Sequence, residues 1–281
     1  MISFRDIEPS DREWMTACRD PRQHPFTALS FTSLFSWRKA YGLAIAGDQD
    51  FFVIRSWHDN AYYCPCGYKE KCRRFIRDTL AEGQAARFLY LTKEQSLEMQ
   101  QDGFHILLRD DLSEYIVQLD SLALQEGHHA SNSYKMKVRH FQKSVPYTVC
   151  PVTEREIPIL NDIVRNSVEN DAAHDEEVFQ SEVDYFGLLG LEGCLLETDA
   201  GQRAFILGYP DTQETFTMTM TKHDASLPAQ VTAVLVHELA RQLSGKYQLI
   251  NLEEDLGLPG LRRAKILYSP VDRLNVYEAI R

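Results

Sequence analysis

An acidic run near the C-terminal end of the chain has residue types suited to proton transfer. Glu253, Glu254 and Asp255 follow the short apolar stretch 247–251, and Tyr268 comes later in the same region. A carboxylate can deprotonate an attacking amine or hydroxyl, and a tyrosine can protonate a leaving group. We therefore expect Glu253 and Asp255 to be catalytic. A structural alternative stays open, in which Asp255 caps the following helix and Tyr268 packs on a sheet.

Polar side chains beside this run are suited to binding. Arg262 and Lys265 lie three residues apart, so on a helix they share a face that can approach a phosphate. Asn251 and Glu254 flank the end of the preceding apolar stretch. We expect all four to contribute to substrate or donor binding. The alternative is that Arg262 is a solvated helix charge, or that it pairs with a glutamate of the acidic run.

A basic strip stands out against the acidity of the whole chain. The sequence has 281 residues with 30 Lys+Arg and 41 Asp+Glu, which gives a net charge of −11. Residues 135–143 nevertheless hold Lys135, Lys137, Arg139, His140 and Lys143 with no acid among them. We expect Lys135, Lys137 and Arg139 to bind tRNA or a phosphate-bearing small molecule. A solvated helix face is the alternative.

Composition excludes several classes of protein. The net negative charge argues against a general DNA-binding protein, which needs cations to neutralise phosphates. No apolar run approaches the roughly 18 residues of a membrane span, and the first residues lack the apolar core of a signal peptide. We therefore expect a cytoplasmic protein with reduced cysteines. The Cys64, Cys66 and Cys72 cluster lacks a second cysteine pair, so we expect no metal site.

Periodicity predicts a mixed chain in which helices and strands alternate. In the second half we predict a helix over 153–168, an acidic loop over 169–184, strands near 193–198, 203–209 and 214–222, a helix over 227–243, a strand over 247–251, a helix over 258–267 and a strand over 275–280. In the third of these strands we expect Phe216, Met218 and Met220 on one face. Thr215, Thr217, Thr219 and Thr221 would form the opposite face.

This order of elements resembles the GNAT acyltransferase fold, which implies a specific site. In that fold the fourth and fifth strands diverge, the gap between them holds the acyl donor, and the next helix points its N-terminus at the donor's pyrophosphate. Here the diverging pair would be 214–222 and 247–251. We expect Thr219 and Thr221 on the first strand to contribute to donor binding. The resemblance also implies that Tyr268, which follows the penultimate helix, is catalytic as the general acid.

A second resemblance rests on the residues from Ile250 to Pro270. The run INLEEDLGLPGLRRAK, followed by Tyr-Ser-Pro, is similar to the signature of the phosphatidylglycerol lysyltransferase C-terminal domain family. Phe31–Trp37 with Arg38 also resembles the family's N-terminal region, and Lys135–Phe141 corresponds to its basic segment. The resemblance implies an α+β (mixed α/β) protein with two tandem GNAT-like domains, each a mostly antiparallel splayed sheet flanked by helices. We place the domains at 1–145 and 146–281.

The resemblance also implies a reaction. Membrane-bound members of the family move an aminoacyl group from tRNA to a lipid headgroup. GNAT enzymes that use CoA have a glycine-rich loop before the pyrophosphate helix, but residues 222–229 contain no glycine. We therefore expect an acyltransferase that favours aminoacyl-tRNA over CoA as donor, with an amine or hydroxyl acceptor. The alternative is a non-catalytic ligand-binding module of the same fold that has lost its donor loop.

Overall fold

A computed structural model describes residues 2–81, 86–125, 129–167 and 174–281. The chain divides into two compact units. The first comprises Met1–Glu114 with Leu274–Arg281, and the second comprises Tyr115–Arg273. The C-terminal residues therefore complete the first unit.

The first unit alternates short strands with short helices. Its strands are β1 (Arg5–Asp6), β2 (Leu43–Asp48), β3 (Phe51–Ser56), β4 (Ala61–Tyr63), β5 (Cys66–Gly67), β6 (Arg87–Leu91) and the first part of β7 (His105–Gln118). Its helices are α1 (Arg12–Cys18), α2 (Phe31–Trp37), α3 (Lys69–Ala81) and α4 (Lys93–Gln101). Short 3-10 turns lie at Pro9–Asp11 and Thr27–Leu29.

The second unit contains the predicted site. Its helices are α5 (Leu119–Leu122), α6 (Asn132–Ser144), α7 (Ile157–Asn166), α8 (Asp175–Asp184), α9 (Phe186–Leu189), α10 (Val231–Leu243) and α11 (Pro259–Leu267). Its strands are the last part of β7, β8 (Tyr147–Pro151), β9 (Glu192–Thr198), β10 (Arg203–Pro210), β11 (Thr215–His223), β12 (Leu249–Asn251) and the start of β13 (Asp272–Ile280).

Strand pairing is mostly antiparallel in both units. The order is β1-β2-β3-β4-β6-β13 in the first unit, with β5 also on β3, and β7-β12-β11-β10-β9-β8 in the second. A short parallel pairing occurs in both units, between β4 and β6 in the first and between β11 and β12 in the second. From β1 and from β8 the chain also runs through a similar sequence of elements: strand, helices, a run of strands (β2–β5 or β9–β11), helix, strand, helix, strand. The predicted mixed α/β class with tandem related units is therefore confirmed.

The core of the second unit explains where the units divide. Helix α10 is buried on almost every side, and the buried residues of α6, Tyr134, Val138 and Phe141, recur at helical spacing in the same apolar cluster. The predicted domain boundary at 145 falls after α6. That helix belongs to the second unit because its apolar stripe is buried in the core that α10 occupies.

The predicted acidic loop requires a correction. Residues 175–184 of that stretch form α8, whereas 168–173 lie outside the described residues. Helix α8 buries Val178, Phe179 and Val183, and it also buries Glu182 in the same stripe. A carboxylate among these apolar residues breaks the hydrophobic pattern from which a helix is predicted.

Candidate functional site

Strands β11 and β12 diverge after a short contact. Their parallel pairing covers Thr215–Leu249, Phe216–Ile250 and Thr217–Asn251. Strand β11 then continues to His223 beside β10, whereas β12 ends. After β12 the chain turns toward β7, where Leu252 and Glu253 exchange backbone hydrogen bonds with Tyr115. Past Thr217, the described residues of β11 therefore have no β12 partner, as the sequence order predicted.

A β-bulge lies in β11 at the start of this unpaired stretch. Gly208 of β10 is opposite Met218 and Leu207 is opposite Met220, so Thr219 is the extra residue. A bulge leaves the backbone polar groups of its extra residue outside the regular ladder and re-aims the neighbouring side chains. The bulge thus places backbone groups at the point where the two strands separate.

The bulge also corrects the predicted faces of this strand. Phe216 and Met218 pack with the α10 core, but Met220 lies opposite Leu207, on the other face of the sheet. Lys222 shares that other face, where it forms an ion pair with Asp175 of α8 at 2.7 Å. Thr221 lies opposite Ile206, a member of the α10 core, so Thr219 and Thr221 do not share one face. One inserted residue inverts the alternation of the strand beyond it.

Asp255 anchors the loop that follows β12. Its side chain is fully buried and accepts hydrogen bonds from Arg262 Nε at 2.6 Å, Tyr115 Oη at 2.5 Å and Gly257 N at 2.8 Å. Burial raises the pKa of Asp255, but these donors outweigh it and lower the pKa to about 2. A carboxylate held this firmly accepts a proton poorly, which favours a structural role over that of a general base.

The neighbouring cations stabilise the same loop. Lys265 is buried, and its Nζ donates to the carbonyl of Leu252. Arg262 also donates from Nη2 to Asp255 Oδ1 at 3.0 Å. The two side chains therefore contact the loop instead of jointly facing a phosphate. Arg262 forms an ion pair with Asp255, an acid of the same run in which the structural alternative expected a glutamate partner.

Glu253 and Glu254 are the half-buried acids of the run. Glu253 has a left-handed backbone with φ of 60°, and its N–H donates to Asn251 Oδ1 at 2.8 Å. The buried Asn251 side chain therefore turns the chain sharply at the end of β12. The turn places the backbone of Glu253 where β12 leaves β11, so Glu253 is the predicted base that lies nearest to the divergence along the chain.

Tyr268 belongs to the core of the second unit. Only 6% of its surface is exposed, and its ring packs edge-to-face with the Tyr134 ring, with the two ring centroids 5.4 Å apart. Burial raises the pKa of its hydroxyl well above the ordinary value. These contacts match the packing alternative that the sequence left open.

The predicted basic residues lie on α6 with different exposure. Lys137 and Arg139 are exposed, and Lys135 is half-buried. The opposite side of α6 carries the buried Tyr134, Val138 and Phe141, so the basic residues must face away from the core. The exposed side of this helix is therefore available to an anionic partner.

The loop before α10 differs from the prediction. The helix begins at Val231 instead of 227, and its N-cap residue Gln230 provides no side-chain cap. Pro228 explains part of the difference, since a proline disfavours helical geometry in the residue before it. Two loop amides are already used, because Leu227 N donates to Asp224 O and Val231 N donates to Pro228 O. With no glycine and an acid at Asp224, this loop fits the pyrophosphate of CoA poorly.

Sequence reasoning missed Glu182 on α8. Its carboxyl hydrogen-bonds Thr219 at the bulge, and burial raises its pKa to about 8. The signal was present in the sequence, because Glu182 follows Val178 by four residues and Phe179 by three. A carboxylate at that spacing lies on the buried side of the helix. Among the described residues, no group of three or more His, Cys, Asp or Glu side chains is arranged to hold a metal ion.

Comparison with solved structures defines the fold class. A tandem GNAT protein from the clavulanic acid biosynthesis pathway superposes with a TM-score of 0.50 at 10% identity, covering 100% of this chain and 98% of that one. The C-terminal domain of a putative lysylphosphatidylglycerol synthetase from Agrobacterium fabrum superposes with a TM-score of 0.69 at 16% identity, covering 96% and 92%. The fold is thus GNAT-like and is shared with these acyltransferase-type domains.

Family membership follows from the sequence match. The model of the phosphatidylglycerol lysyltransferase C-terminal family matches residues 22–280, so the chain belongs to this family. A conserved protein of unknown function from Bacteroides thetaiotaomicron is 30% identical, with a TM-score of 0.85 over 100% of this chain and 99% of that one. A search of curated proteins finds no significant match. No helix in the described parts of the chain has the length and apolar character needed to cross a bilayer.

Proposed function

We propose that this protein is an aminoacyltransferase that moves an aminoacyl group from charged tRNA to an amine or hydroxyl acceptor. The observation that carries the proposal is the divergence of β11 from β12 at a β-bulge. Backbone groups freed from a sheet ladder can hold an extended acyl donor and stabilise an oxyanion. The family match adds the aminoacyl class, because the family is named for a lysyl transfer.

The reaction needs no cofactor chemistry. The acceptor nitrogen or oxygen attacks the ester carbonyl of the aminoacyl-tRNA, and the resulting oxyanion is held by backbone N–H groups near Thr219. Collapse of this intermediate forms an amide or ester bond and breaks the bond to the tRNA hydroxyl. The acceptor loses one proton and the released tRNA hydroxyl gains one. Glu253 is our candidate for the acceptor's base, whereas Asp255 and Tyr268 position the loop and the core.

The donor preference has its own support. The loop before α10 fits a pyrophosphate poorly, which disfavours CoA. The exposed Lys137 and Arg139 offer cations to a polyanion in a protein whose net charge is −11. We therefore propose tRNA as the macromolecular partner, and the cytoplasm, where charged tRNA is made, as the site of the reaction.

A transfer assay tests the proposal. The purified protein is incubated with a mixture of tRNAs charged with radiolabelled amino acids, and label is followed from tRNA to primary amines, hydroxyl compounds or phosphatidylglycerol vesicles. We expect label to move to at least one acceptor class, and Glu253→Gln to slow the transfer roughly 100-fold or more. Arg74→Glu, a charge change at a highly exposed position of the first unit, is the matched control and should transfer normally.

The assay also distinguishes the competing hypothesis. A folded protein that binds charged tRNA, leaves the ester intact and transfers nothing would be a binding module. The glycine-free loop favours that alternative, because it suggests loss of a donor site. Transfer that requires acetyl-CoA and ignores charged tRNA would overturn the donor assignment while keeping the enzyme class.

A further inference from the structure

Two buried oxygen atoms near the β11 bulge have no hydrogen-bond partner in the described parts of the chain. They are Glu182 Oε2 and Thr217 Oγ1. Glu182 is 1% exposed and Thr217 is 0% exposed, so bulk water does not satisfy them. An unsatisfied polar atom in the interior costs free energy. Their persistence suggests that the donor they lack is supplied by a ligand.

Thr217 and Glu182 lie on the same side of the sheet. Thr217 is opposite Tyr209 of β10, and Tyr209 shares a face of that strand with Phe205. The centroid of the Phe205 ring lies 5.8 Å from that of the Phe179 ring on α8. Glu182 lies on α8 itself and hydrogen-bonds Thr219. The two unsatisfied oxygens are therefore on the side of the strand that α8 covers.

Helix α8 holds the Glu182 carboxyl at the bulge through two fixed points. Asp175 pairs with Lys222, and Glu182 bonds Thr219. The two acids are seven positions apart on the helix, which corresponds to roughly 10 Å, and their partners are three positions apart on the strand, which corresponds to about the same distance. Helix and strand thus run antiparallel, with the Lys222 pair as the second attachment. The bulge residue Thr219, beside this buried carboxyl, is itself half-exposed.

The chemistry of the unsatisfied atoms selects the ligand. A carboxylate oxygen only accepts hydrogen bonds, and a threonine hydroxyl can also accept. A primary ammonium group has three donors and no acceptor, and it carries the charge that a buried carboxylate requires. We propose that Glu182, together with Thr217 and Thr219, binds the primary ammonium group of a reactant at the β11 bulge. This inference rests on the proposed function and names the chemical group that its site recognises.

The surroundings support a cation over a neutral group. On the strand face that α8 covers, the cation of β11 is Lys222, which forms an ion pair with Asp175 of α8. Asp175 and burial both raise the pKa of Glu182, which makes its ionised form costly until a cation arrives. A bound ammonium would remove that cost. The group has two possible sources, the α-ammonium of an aminoacyl donor or the amine of an acceptor.

Isothermal titration calorimetry with small amines tests the site without requiring transfer. The donor-like probes are L-alaninamide and L-lysinamide, and the acceptor-like probes are ethanolamine and n-butylamine. N-acetyl-L-alaninamide and N-acetylethanolamine are the uncharged counterparts. We expect one probe class to bind wild-type protein and its acetylated counterpart to fail. Glu182→Gln should weaken binding roughly tenfold or more, since it removes a charge-assisted hydrogen bond.

Matched variants separate recognition from folding. Glu177→Gln changes an exposed acid on the same helix and should bind like wild type. Thr217→Val should weaken binding, and Thr217→Ser, which keeps the hydroxyl, should restore it. Circular dichroism verifies that each variant is folded.

Each outcome bears on the proposal. Selective binding of the amino acid amides assigns the site to the donor, and selective binding of the simple amines assigns it to the acceptor. Absence of binding by all four amines, or equal binding by wild type and Glu182→Gln, overturns the inference even if transfer is observed. Amine binding that depends on Glu182 in a protein that transfers nothing would leave the ammonium site standing and refute the proposed function.

Discussion

At the scale of single residues, Asp255 shows how a motif acid can serve structure. It is the shared acceptor for Arg262, Tyr115 and Gly257. We expect Asp255→Asn to lower the free energy of unfolding by about 3 kcal/mol at pH 7, because it removes the buried negative charge that pairs with Arg262. Chemical denaturation measures this loss. Asp199→Asn, in an exposed turn, is the control and should change stability little.

The same carboxyl predicts an acid dependence. The pKa of Asp255 in the folded protein is about 2, below its unfolded value of about 3.9. A depressed pKa gives stability that is complete above the unfolded value and is lost as pH falls through the folded one. The difference in free energy of unfolding between wild type and Asp255→Asn should therefore become smaller as the pH falls from 4 to 2. A gap that stays constant over that range would contradict the assigned ion pair.

Glu182 predicts the opposite dependence. Burial raises its pKa to about 8 in the folded protein, above an unfolded value of about 4.3. The folded state then holds a proton that the unfolded state has lost, so stability falls as pH rises between these values. We expect the free energy of unfolding of Glu182→Gln to rise relative to that of wild type by up to about 1.4 kcal/mol per pH unit between pH 5 and pH 8. Parallel stability curves for the two proteins would show that Glu182 is ionised in the fold.

These residues also show what the sequence can reveal at this scale. The acidic run, Arg262 and Lys265 were identified from residue types and spacing, and the structure gathers them around one loop. Their bonding could not be derived, because it depends on Tyr115, which lies 140 residues before Asp255. Glu182 was missed for the converse reason. A charge is normally taken as solvent-facing, so its spacing from the apolar Val178 and Phe179 was not recognised as a sign of burial.

At the scale of elements, the β11 bulge gives a prediction about deletion. Removing Thr219 would bring Met218 and Met220 into direct succession, and both would keep their present partners on β10. The faces of the flanking residues would be unchanged, so we expect the deletion variant to remain folded. It would lose the bulge, and with it the aminoacyl transfer activity that we propose. Circular dichroism and the tRNA transfer assay measure these two properties.

Deletion of Thr221 is the matched control. It also shortens β11 by one residue, but it moves Lys222 from the α8 face onto the face that packs against α10. Burying an unpaired lysine in an apolar core costs several kcal/mol, so this variant should be largely unfolded. Equal stability of the two deletion variants would contradict the assigned position of the bulge.

The bulge marks a limit of pattern reading for elements. Alternation along 215–222 predicted a strand, and β11 occupies Thr215–His223. Alternation could not locate the extra residue, because threonine and methionine are tolerated on either face of a strand. The insertion is defined only by the partner strand, where Leu207 and Gly208 are adjacent. Elements were therefore predicted more accurately than the side-chain directions within them.

At the scale of the whole molecule, the order of elements was predictable and the division into units was not. Periodicity gave the succession of strands and helices from β9 onward, including the closing strand, but it missed α8. Nothing local shows that residues 274–281 join the first unit. The first unit holds the last strand through pairing with β6 and through Glu278, which is buried and bonds Arg87 and Arg109. Such long-range contacts have no signature in a local sequence pattern.

The charge of the whole molecule sets the final prediction. A protein of net charge −11 has a limited cationic surface to offer to tRNA, so binding should engage few phosphates. We expect the logarithm of the tRNA association constant to fall with the logarithm of salt concentration with a slope of roughly −2 to −3, or about 0.7–0.9 per phosphate neutralised. Fluorescence anisotropy with labelled tRNA measures this slope.

Lys137→Glu combined with Arg139→Glu should weaken binding and flatten the slope by roughly 2, because it removes two phosphate contacts. Lys69→Glu combined with Arg74→Glu, on exposed α3, makes the same change in net charge and should leave the slope as in wild type. If both double variants weaken binding equally, net charge alone governs association, and α6 is not the tRNA-binding surface.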